Sequence, residues 1–159
     1  MQHLVPIIAA ACLAGLSSAA DAETREDAAR AMKATRADVR WDPTTLAEGD
    51  FNADGKPDFA MVGYLGEGLV LIVRASSGRG RSYTNDIQGF GIGPEIQAAI
   101  CEAPARLRVD EQLCNPMDEL LPGCRPSKKA NALNLSGGEC DSIHLFWNHK
   151  TNRMDWWRL

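Results

Sequence analysis

Hydrophobic positions along the chain follow three different patterns, and each predicts a different kind of element. Residues 4–16 near the amino terminus form an unbroken apolar run. In residues 24–39, Ala28, Met32 and Val39 recur at roughly helical spacing among polar neighbours. Farther along, apolar and polar residues approach a period of two, which is typical of strands. The pattern therefore predicts a leading apolar segment, one helix and a β-rich remainder.

The predicted helix, residues 24–39, has recognisable end signals. Thr24 can cap its amino terminus, and Glu26 and Asp27 place negative charge in the first turn, where the helix dipole favours it. Pro43 prevents any continuation beyond this segment. Because the apolar face is narrow, we expect the helix to lie on a sheet or to fray in part.

Two β-rich runs, residues 59–65 and 69–75, are separated by the short segment "GEG" and predict a hairpin. The glycine-rich segment "GFGIGP" (89–94) lacks the Lys-Ser/Thr of a P-loop, so we interpret it as loop. Further short strand candidates are 95–100, 106–109, 132–136, 142–148 and 153–159. The fold class predicted is mainly β (α+β), with a short N-terminal helix and an antiparallel sheet of hairpins.

The apolar run at residues 4–16 is too short to span a bilayer. It is followed by small residues ending in Ala20-Asp21-Ala22, which fits an A-x-A cleavage site. We therefore expect residues 1–22 to be a signal peptide and residues 23–159 to form a single exported domain. Two alternatives are lipidation at Cys12 and a buried N-terminal helix.

The charge balance limits the kinds of partner that the protein can bind. The whole chain has a formal net charge of −4, and removing residues 1–22 takes away one aspartate, leaving −3. Mild acidity argues against nucleic acid and anionic membrane surfaces as partners. No later apolar run is long enough to span a membrane, so we expect no membrane span.

Four cysteines follow the signal segment, and an even number in an exported chain predicts two disulfides. They are Cys101, Cys114, Cys124 and Cys140. A zinc site is disfavoured because no C-x-x-C pair is present. Three pairings are conceivable. We favour Cys114–Cys124, closing a proline-rich stretch, with Cys101–Cys140 joining its flanks.

The segment "GDFNADGKPDF" places oxygen donors at alternate residues, a pattern suited to Ca²⁺, which prefers six to eight hard oxygen ligands. Gly55 provides the sharp turn, and no His or Cys competes for a softer metal. The predicted ligands are the side chains of Asp50, Asn52, Asp54 and Asp58 and the backbone carbonyl of Lys56. The alternative is a set of Asx-turns that forms without metal.

The segment "GDFNADGKPDFAMVG" resembles the D-x-N-G-D-G-x-x-D-[LF]-x-V motif of FG-GAP/VCBS repeats, the calcium-bearing unit of integrin α-type β-propeller blades. Ala53 stands where the family usually has glycine, which is tolerable if this residue is not at positive φ. Met61 stands where an EF-hand has its bidentate glutamate. A single copy cannot build a propeller, and the layout is similar to small secreted bacterial proteins with one such loop. The resemblance implies Ca²⁺ binding but no particular activity.

Other residue combinations provide little support for catalysis. Ser136 and Ser142 could be combined with His144 or His149, but no G-x-S-x-G or H-E-x-x-H motif is present. We therefore predict that the protein is not an enzyme.

Trp156 and Trp157 are adjacent in a predicted strand, so their side chains must face opposite sides of the sheet. One of them could therefore be exposed as a binding surface. In the alternative arrangement, one packs on the sheet and the other packs under the N-terminal helix.

The sequence as a whole predicts a non-enzymatic exported protein, periplasmic or secreted, with one structural Ca²⁺. Its expected role is a binding or scaffolding module for an unknown protein or glycan partner. The alternative is an inhibitor or immunity protein for a periplasmic hydrolase or toxin.

Overall fold

The computed structural model describes residues 23–77 and 82–159. The predicted signal peptide, residues 1–22, lies outside the described residues. No helix within these two ranges is both long and apolar enough to cross a membrane.

One helix and nine strands make up the described part of the chain. Their bounds are α1 Arg25–Thr35, β1 Arg40–Gly49, β2 Asp58–Leu65, β3 Gly68–Ser76, β4 Tyr83–Ile92, β5 Ala99–Ile100, β6 Arg106–Glu111, β7 Asn131–Ser136, β8 Ile143–Asn148 and β9 Arg153–Trp157. The strands form a five-stranded sheet, β1-β2-β3-β4-β5, and a four-stranded sheet, β6-β7-β8-β9. All pairs are antiparallel except β4 with β5. The predicted fold class, mainly β with one helix, is confirmed.

Helix α1 starts at the predicted cap, because the Thr24 hydroxyl accepts a hydrogen bond from the backbone N–H of Asp27. The prediction that it extends to residue 39 is wrong: it ends at Thr35, and the chain turns into β1 five residues later. Ala28 and Met32 are fully buried against the outer face of the first sheet. The helix therefore lies on a sheet, as its narrow apolar face predicts.

The hairpin predicted in the first sheet is confirmed, with β2 and β3 joined by the two-residue turn Gly66-Glu67. Strand β1 was not predicted because it is mostly polar and contains Pro43. That proline falls in an irregularity between Asp42 and Ala47, where the pairing register shifts and no regular ladder bond is required of it.

Strand β4 covers residues that the sequence led us to interpret as loop, so that interpretation of 89–94 is wrong up to Ile92. Gly91 pairs with Ala99, and a Cβ placed on Gly91 would lie only 3.2 Å from the Cβ of Ala99. Glycine thus permits close approach of β5 rather than marking a loop. The strand predicted at 95–100 is reduced to Ala99–Ile100.

The four strands of the second sheet correspond to sequence candidates at 106–109, 132–136, 142–148 and 153–159. Alternate residues of both sheets meet in one continuous core, which excludes water between the sheets. The buried members of this core are Ala47, Phe51, Ala60, Val62, Leu69, Leu71, Val73, Ala75, Phe90, Ile100, Ala105, Leu133, Leu135, Ile143, Leu145, Trp147 and Met154.

The outer face of the second sheet is covered by the excursion, the name used here for residues 112–127 between β6 and β7. Cys114 and Cys124 are bonded to each other and bury their sulfurs against Phe146, with Leu121 and Trp157 beside them. The molecule is thus layered as helix, sheet, core, sheet and excursion.

Both favoured disulfides, Cys101–Cys140 and Cys114–Cys124, are present. Their Cα separations, 5.5 and 5.6 Å, lie in the usual range for disulfides. Two disulfides are consistent with a protein that folds in an oxidising compartment.

Asp86 of β4 connects the two sheets along one border. Its buried carboxylate accepts hydrogen bonds from the Arg153 Nε at 2.8 Å and from the Met154 backbone N–H at 2.9 Å. The side-chain Nε2 of Gln88 donates hydrogen bonds both to the Asp86 carboxylate and to the Met154 carbonyl. Burial of the apolar core stabilises the contact between the sheets, but these directional hydrogen bonds fix the position of one sheet relative to the other.

We expect Asp86→Ala to lower the free energy of unfolding by about 2–3 kcal/mol, because it removes charge-assisted bonds and leaves the Met154 N–H without its acceptor. Chemical denaturation of both proteins measures the difference. Glu111→Ala, at an exposed site on β6, is the control and should change stability by less than about 0.5 kcal/mol. An Asp86→Ala variant as stable as the wild type would contradict this role.

Candidate calcium loop and the cleft beside it

The predicted calcium loop, residues 50–58, connects β1 to β2 and is fastened to the second sheet. The Asp50 backbone N–H donates to the Asn131 side-chain oxygen at 2.9 Å, and the Asp50 carbonyl accepts from the Asn131 backbone N–H at 2.8 Å. Phe51, the next residue, is fully buried in the core between the sheets. The loop therefore begins at a fixed point shared by both sheets.

The first half of the loop is curled by side-chain oxygens that accept from the backbone. The Asp50 carboxylate accepts from the N–H groups of Asp54 and Gly55, at 3.0 and 2.9 Å. The Asn52 oxygen accepts from the same Asp54 N–H at 3.0 Å, and the Asp54 carboxylate accepts from the Lys56 N–H. Carboxylate and amide oxygens from Asp50 and Asn52 thus converge on one point of the loop.

Two residues of the loop occupy the left-handed region of backbone space. Gly55 has φ of +83°, as its place in the motif requires. Ala53 has φ of +62°. Alanine is expected to replace the usual glycine without strain only where φ is not positive, so this residue is strained. A non-glycine residue in this region costs on the order of 1–2 kcal/mol, which the surrounding hydrogen bonds must offset.

Asp58 lies beneath the loop with a fully buried side chain. One carboxylate oxygen accepts from the N–H groups of Phe51 and Asn52, at 2.8 and 3.2 Å. The other accepts from the N–H of Ser76 at 2.7 Å. Burial raises the pKa of Asp58 to about 7, although these backbone bonds oppose the shift, and the nearby Asp54 carboxylate raises it further.

The donor set suits Ca²⁺ in its chemistry, since the side chains that face the loop interior offer hard oxygens. Among the residues that the structure describes, however, no three or more His, Cys, Asp and Glu side chains are grouped as a metal would require. Both Asp58 oxygens already accept backbone hydrogen bonds, and Asp54 also accepts from the Ser76 hydroxyl. The loop is closed by Asx-type bonds, and Asp58 holds its base through backbone hydrogen bonds.

A cleft of about 600 Å³, lined mostly by residues with polar side chains, lies beside the loop, between the ends of the two sheets. Its lining includes Asn52 and Asp54 from the loop, Ser77 and Thr84 from the β3 and β4 ends, and His149 and Asn152 from the β8–β9 turn. This cleft cannot be predicted from the sequence. Its residues come from three segments that no local motif connects.

Trp156 and Trp157 face opposite sides of the second sheet, as adjacent strand residues must. Trp156 packs on the core between the sheets, with its ring in edge contact with Phe90 at a centroid distance of 6.3 Å. Trp157 stacks on His144 at 4.2 Å, on the side covered by the excursion. Both indoles are half-buried, and Trp157 lies beside the disulfide instead of under the helix.

Comparison with protein-family models, curated proteins and solved structures gave no match to this chain. The resemblance to FG-GAP/VCBS repeats therefore stays a prediction that rests on the loop residues alone.

We expect Asp58→Asn to lower the free energy of unfolding by about 1–3 kcal/mol in the presence of a calcium chelator. An amide turns hydrogens toward at least one of the backbone N–H groups that the two carboxylate oxygens now accept. Urea denaturation with EGTA present measures this cost without any contribution from metal. The exposed Asp141→Asn is the matched control, and equal stability of all three proteins would show that Asp58 does not fasten the loop.

Proposed function

We propose that this protein is an exported, non-enzymatic binding or scaffolding module whose loop at residues 50–58 binds one structural Ca²⁺. The observation that carries the proposal is the position of Asp58. A buried carboxylate with a raised pKa lies close to Asp54, in a loop that is fastened to both sheets. A dication at this loop would offset the repulsion between the Asp54 and Asp58 carboxylates and stabilise the junction of the sheets.

The proposed ligands are the side-chain oxygens of the loop and one backbone carbonyl. They are Asp50, Asn52, Asp54, the carbonyl of Lys56, and Asp58. Bound Ca²⁺ would supply charge neutralisation and no chemistry. Residues of the protein itself shape the loop. Gly55 makes the turn, Asn131 hydrogen-bonds the start of the loop, and the Ser76 hydroxyl donates a hydrogen bond to Asp54.

The proposed location is the periplasm or the outside of the cell. Two disulfides support an oxidising compartment, and the proposed cleavage after Ala22 would leave Glu23 as the first residue. Glu23 is held by Arg74 through two ion-pair hydrogen bonds of 2.7 and 2.8 Å, so the folded domain is secured from its first residue onward.

We expect Ca²⁺ to raise the melting temperature relative to EGTA, and Asp54→Ala to abolish the difference. Ca²⁺ at a hundredfold excess over its dissociation constant would add about 2.7 kcal/mol to the free energy of unfolding. Differential scanning calorimetry in the two buffers measures the effect.

The quantity compared is the Ca²⁺-dependent difference within each protein, because Asp54→Ala also removes bonds to Ser76 and Lys56. Glu67→Ala, at the exposed β2–β3 turn, is the control and should keep the full difference. Identical melting curves of the wild type with Ca²⁺ and with EGTA would rule out the metal site.

A second candidate function, an inhibitor or immunity protein for a periplasmic hydrolase or toxin, is favoured by one surface. The excursion is held by the Cys114–Cys124 disulfide, yet Leu113, Met117 and Leu120 on it are 48%, 59% and 63% exposed. Apolar side chains displayed on a stapled segment lose little conformational entropy when they enter a partner's pocket.

Partner capture separates the two functions. If the second is correct, the wild type should form a nanomolar complex with one enzyme from the periplasmic or secreted fraction, and Leu120→Ser should weaken that complex at least about tenfold. Leu65→Ser, which alters another exposed leucine on the β2–β3 hairpin, should leave the complex intact. Weak binding, or binding to glycans only, supports the binding module instead.

A further inference from the structure

The cleft beside the loop has the size of a small-ligand site. Its volume of about 600 Å³ falls within the range of about 300–1,000 Å³ typical of such sites. It opens where the two sheets separate, and its sides come from the 50–58 loop, the ends of β3 and β4, and the β8–β9 turn. Most of these elements are strand ends or tight turns, so the walls are held by the sheets themselves.

Uncharged hydrogen-bonding groups stand at the mouth of the cleft. Ser77, Thr84 and Asn152 are exposed there, and each side chain can both donate and accept. Such groups match the hydroxyls of a sugar, which also donate and accept. An apolar ligand would instead leave them without partners when it displaced water.

The charged groups of the cleft are largely balanced within the protein. Arg153 pairs with Asp86 at 2.8 Å. Burial, with a smaller contribution from Arg125, lowers the pKa of His149, so its neutral form is favoured at neutral pH. The remaining charge is that of Asp54, a proposed calcium ligand. With Ca²⁺ in the loop the cleft would be close to neutral, which favours an uncharged ligand.

Two residues near the end of β8, Trp147 and His149, also line the cleft. Trp147, 6% exposed, belongs to the core between the sheets and also lines the cleft, and His149 lies two residues farther along the chain. Within the described residues, the buried Nε2 atom of His149 has no hydrogen-bond partner. Because this atom is shielded from solvent, it belongs to the wall of the cleft and is not itself a contact for a ligand.

We propose that this cleft binds a short, uncharged oligosaccharide, and that Ca²⁺ in the neighbouring loop strengthens the binding. The calcium dependence rests on the proposed structural Ca²⁺ site, because Asn52 and Asp54 belong both to that loop and to the wall of the cleft. The carbohydrate preference rests on the neutral hydrogen-bonding groups at the mouth and on the pairing of Arg153 with Asp86, neither of which requires Ca²⁺.

The test is isothermal titration calorimetry of the exported, disulfide-bonded protein with chitotriose, cellotriose, maltotriose and the anionic trigalacturonate. Each titration is done in Ca²⁺ and in EGTA. At least one neutral trisaccharide should bind, more tightly with Ca²⁺, and trigalacturonate should bind more weakly than that sugar.

Asn152→Gly is the decisive variant. Asn152 has φ of +52°, which glycine adopts freely, so the substitution removes the side chain and keeps the turn. We expect it to weaken binding about tenfold, as the loss of one or two hydrogen bonds would. Asn115→Gly, in the excursion and outside the cleft lining, is the control and should bind as the wild type does.

The outcomes separate this inference from the calcium proposal. No binding of any neutral trisaccharide, preference for trigalacturonate, or unchanged affinity of Asn152→Gly would each overturn the carbohydrate site, even if Ca²⁺ raises the melting temperature. Sugar binding that is equal in Ca²⁺ and EGTA would overturn the coupling. If the melting temperature is also insensitive to Ca²⁺, the calcium proposal fails while the carbohydrate site stands.

Discussion

The buried carboxylate of Asp58 holds together the part of the molecule from which its proposed functions follow. It accepts hydrogen bonds from the backbone N–H groups of Phe51 and Asn52, at the start of the loop, and of Ser76, at the end of β3. An unpaired carboxylate at this depth would be unfavourable, and the raised pKa shows that three backbone bonds offset the burial only in part. Because Asp58 also starts β2, one side chain sets the relative positions of three chain segments.

The two sheets are joined by polar contacts at more than one border, and the cleft lies where these contacts leave an opening. Asn131 of β7 exchanges two hydrogen bonds with the backbone of Asp50. Asp86 of β4 accepts hydrogen bonds from Arg153 and from the Met154 N–H of β9. The apolar core between them tolerates small displacements, since hydrophobic burial has no direction. The hydrogen bonds accepted by Asn131 and Asp86 are directional and tolerate less displacement, so they define the spacing of the walls.

Sequence reasoning succeeded where local signals and tertiary packing agree. The Thr24 cap, the two β-rich apolar runs on either side of a short turn, and the even number of cysteines each predict a feature that the structure contains. It failed where packing overrides local preference: β1 accepts Pro43 at a bulge, and β4 uses Gly91 for close approach by β5. The spacing of oxygen donors at 50–58 is visible in the sequence, but the backbone partners of Asp58 come partly from Ser76, eighteen residues farther along the chain, and no spacing rule could supply them. The cleft was missed for the same reason.

The hydrogen bonds of Asp58 also set the size of the effect that Ca²⁺ can have. In a loop whose carboxylates have no other partners, a metal organises the chain and its removal unfolds it. Here Asp50, Asn52 and Asp54 already accept backbone N–H groups, and Asp58 is committed to three of them. A cation would therefore add to a loop that is already formed, and its main contribution would be neutralising charge rather than ordering the chain. A Ca²⁺ ion in the loop would therefore change the charge of the adjacent cleft wall, to which Asn52 and Asp54 belong, more than it would change the shape of that wall.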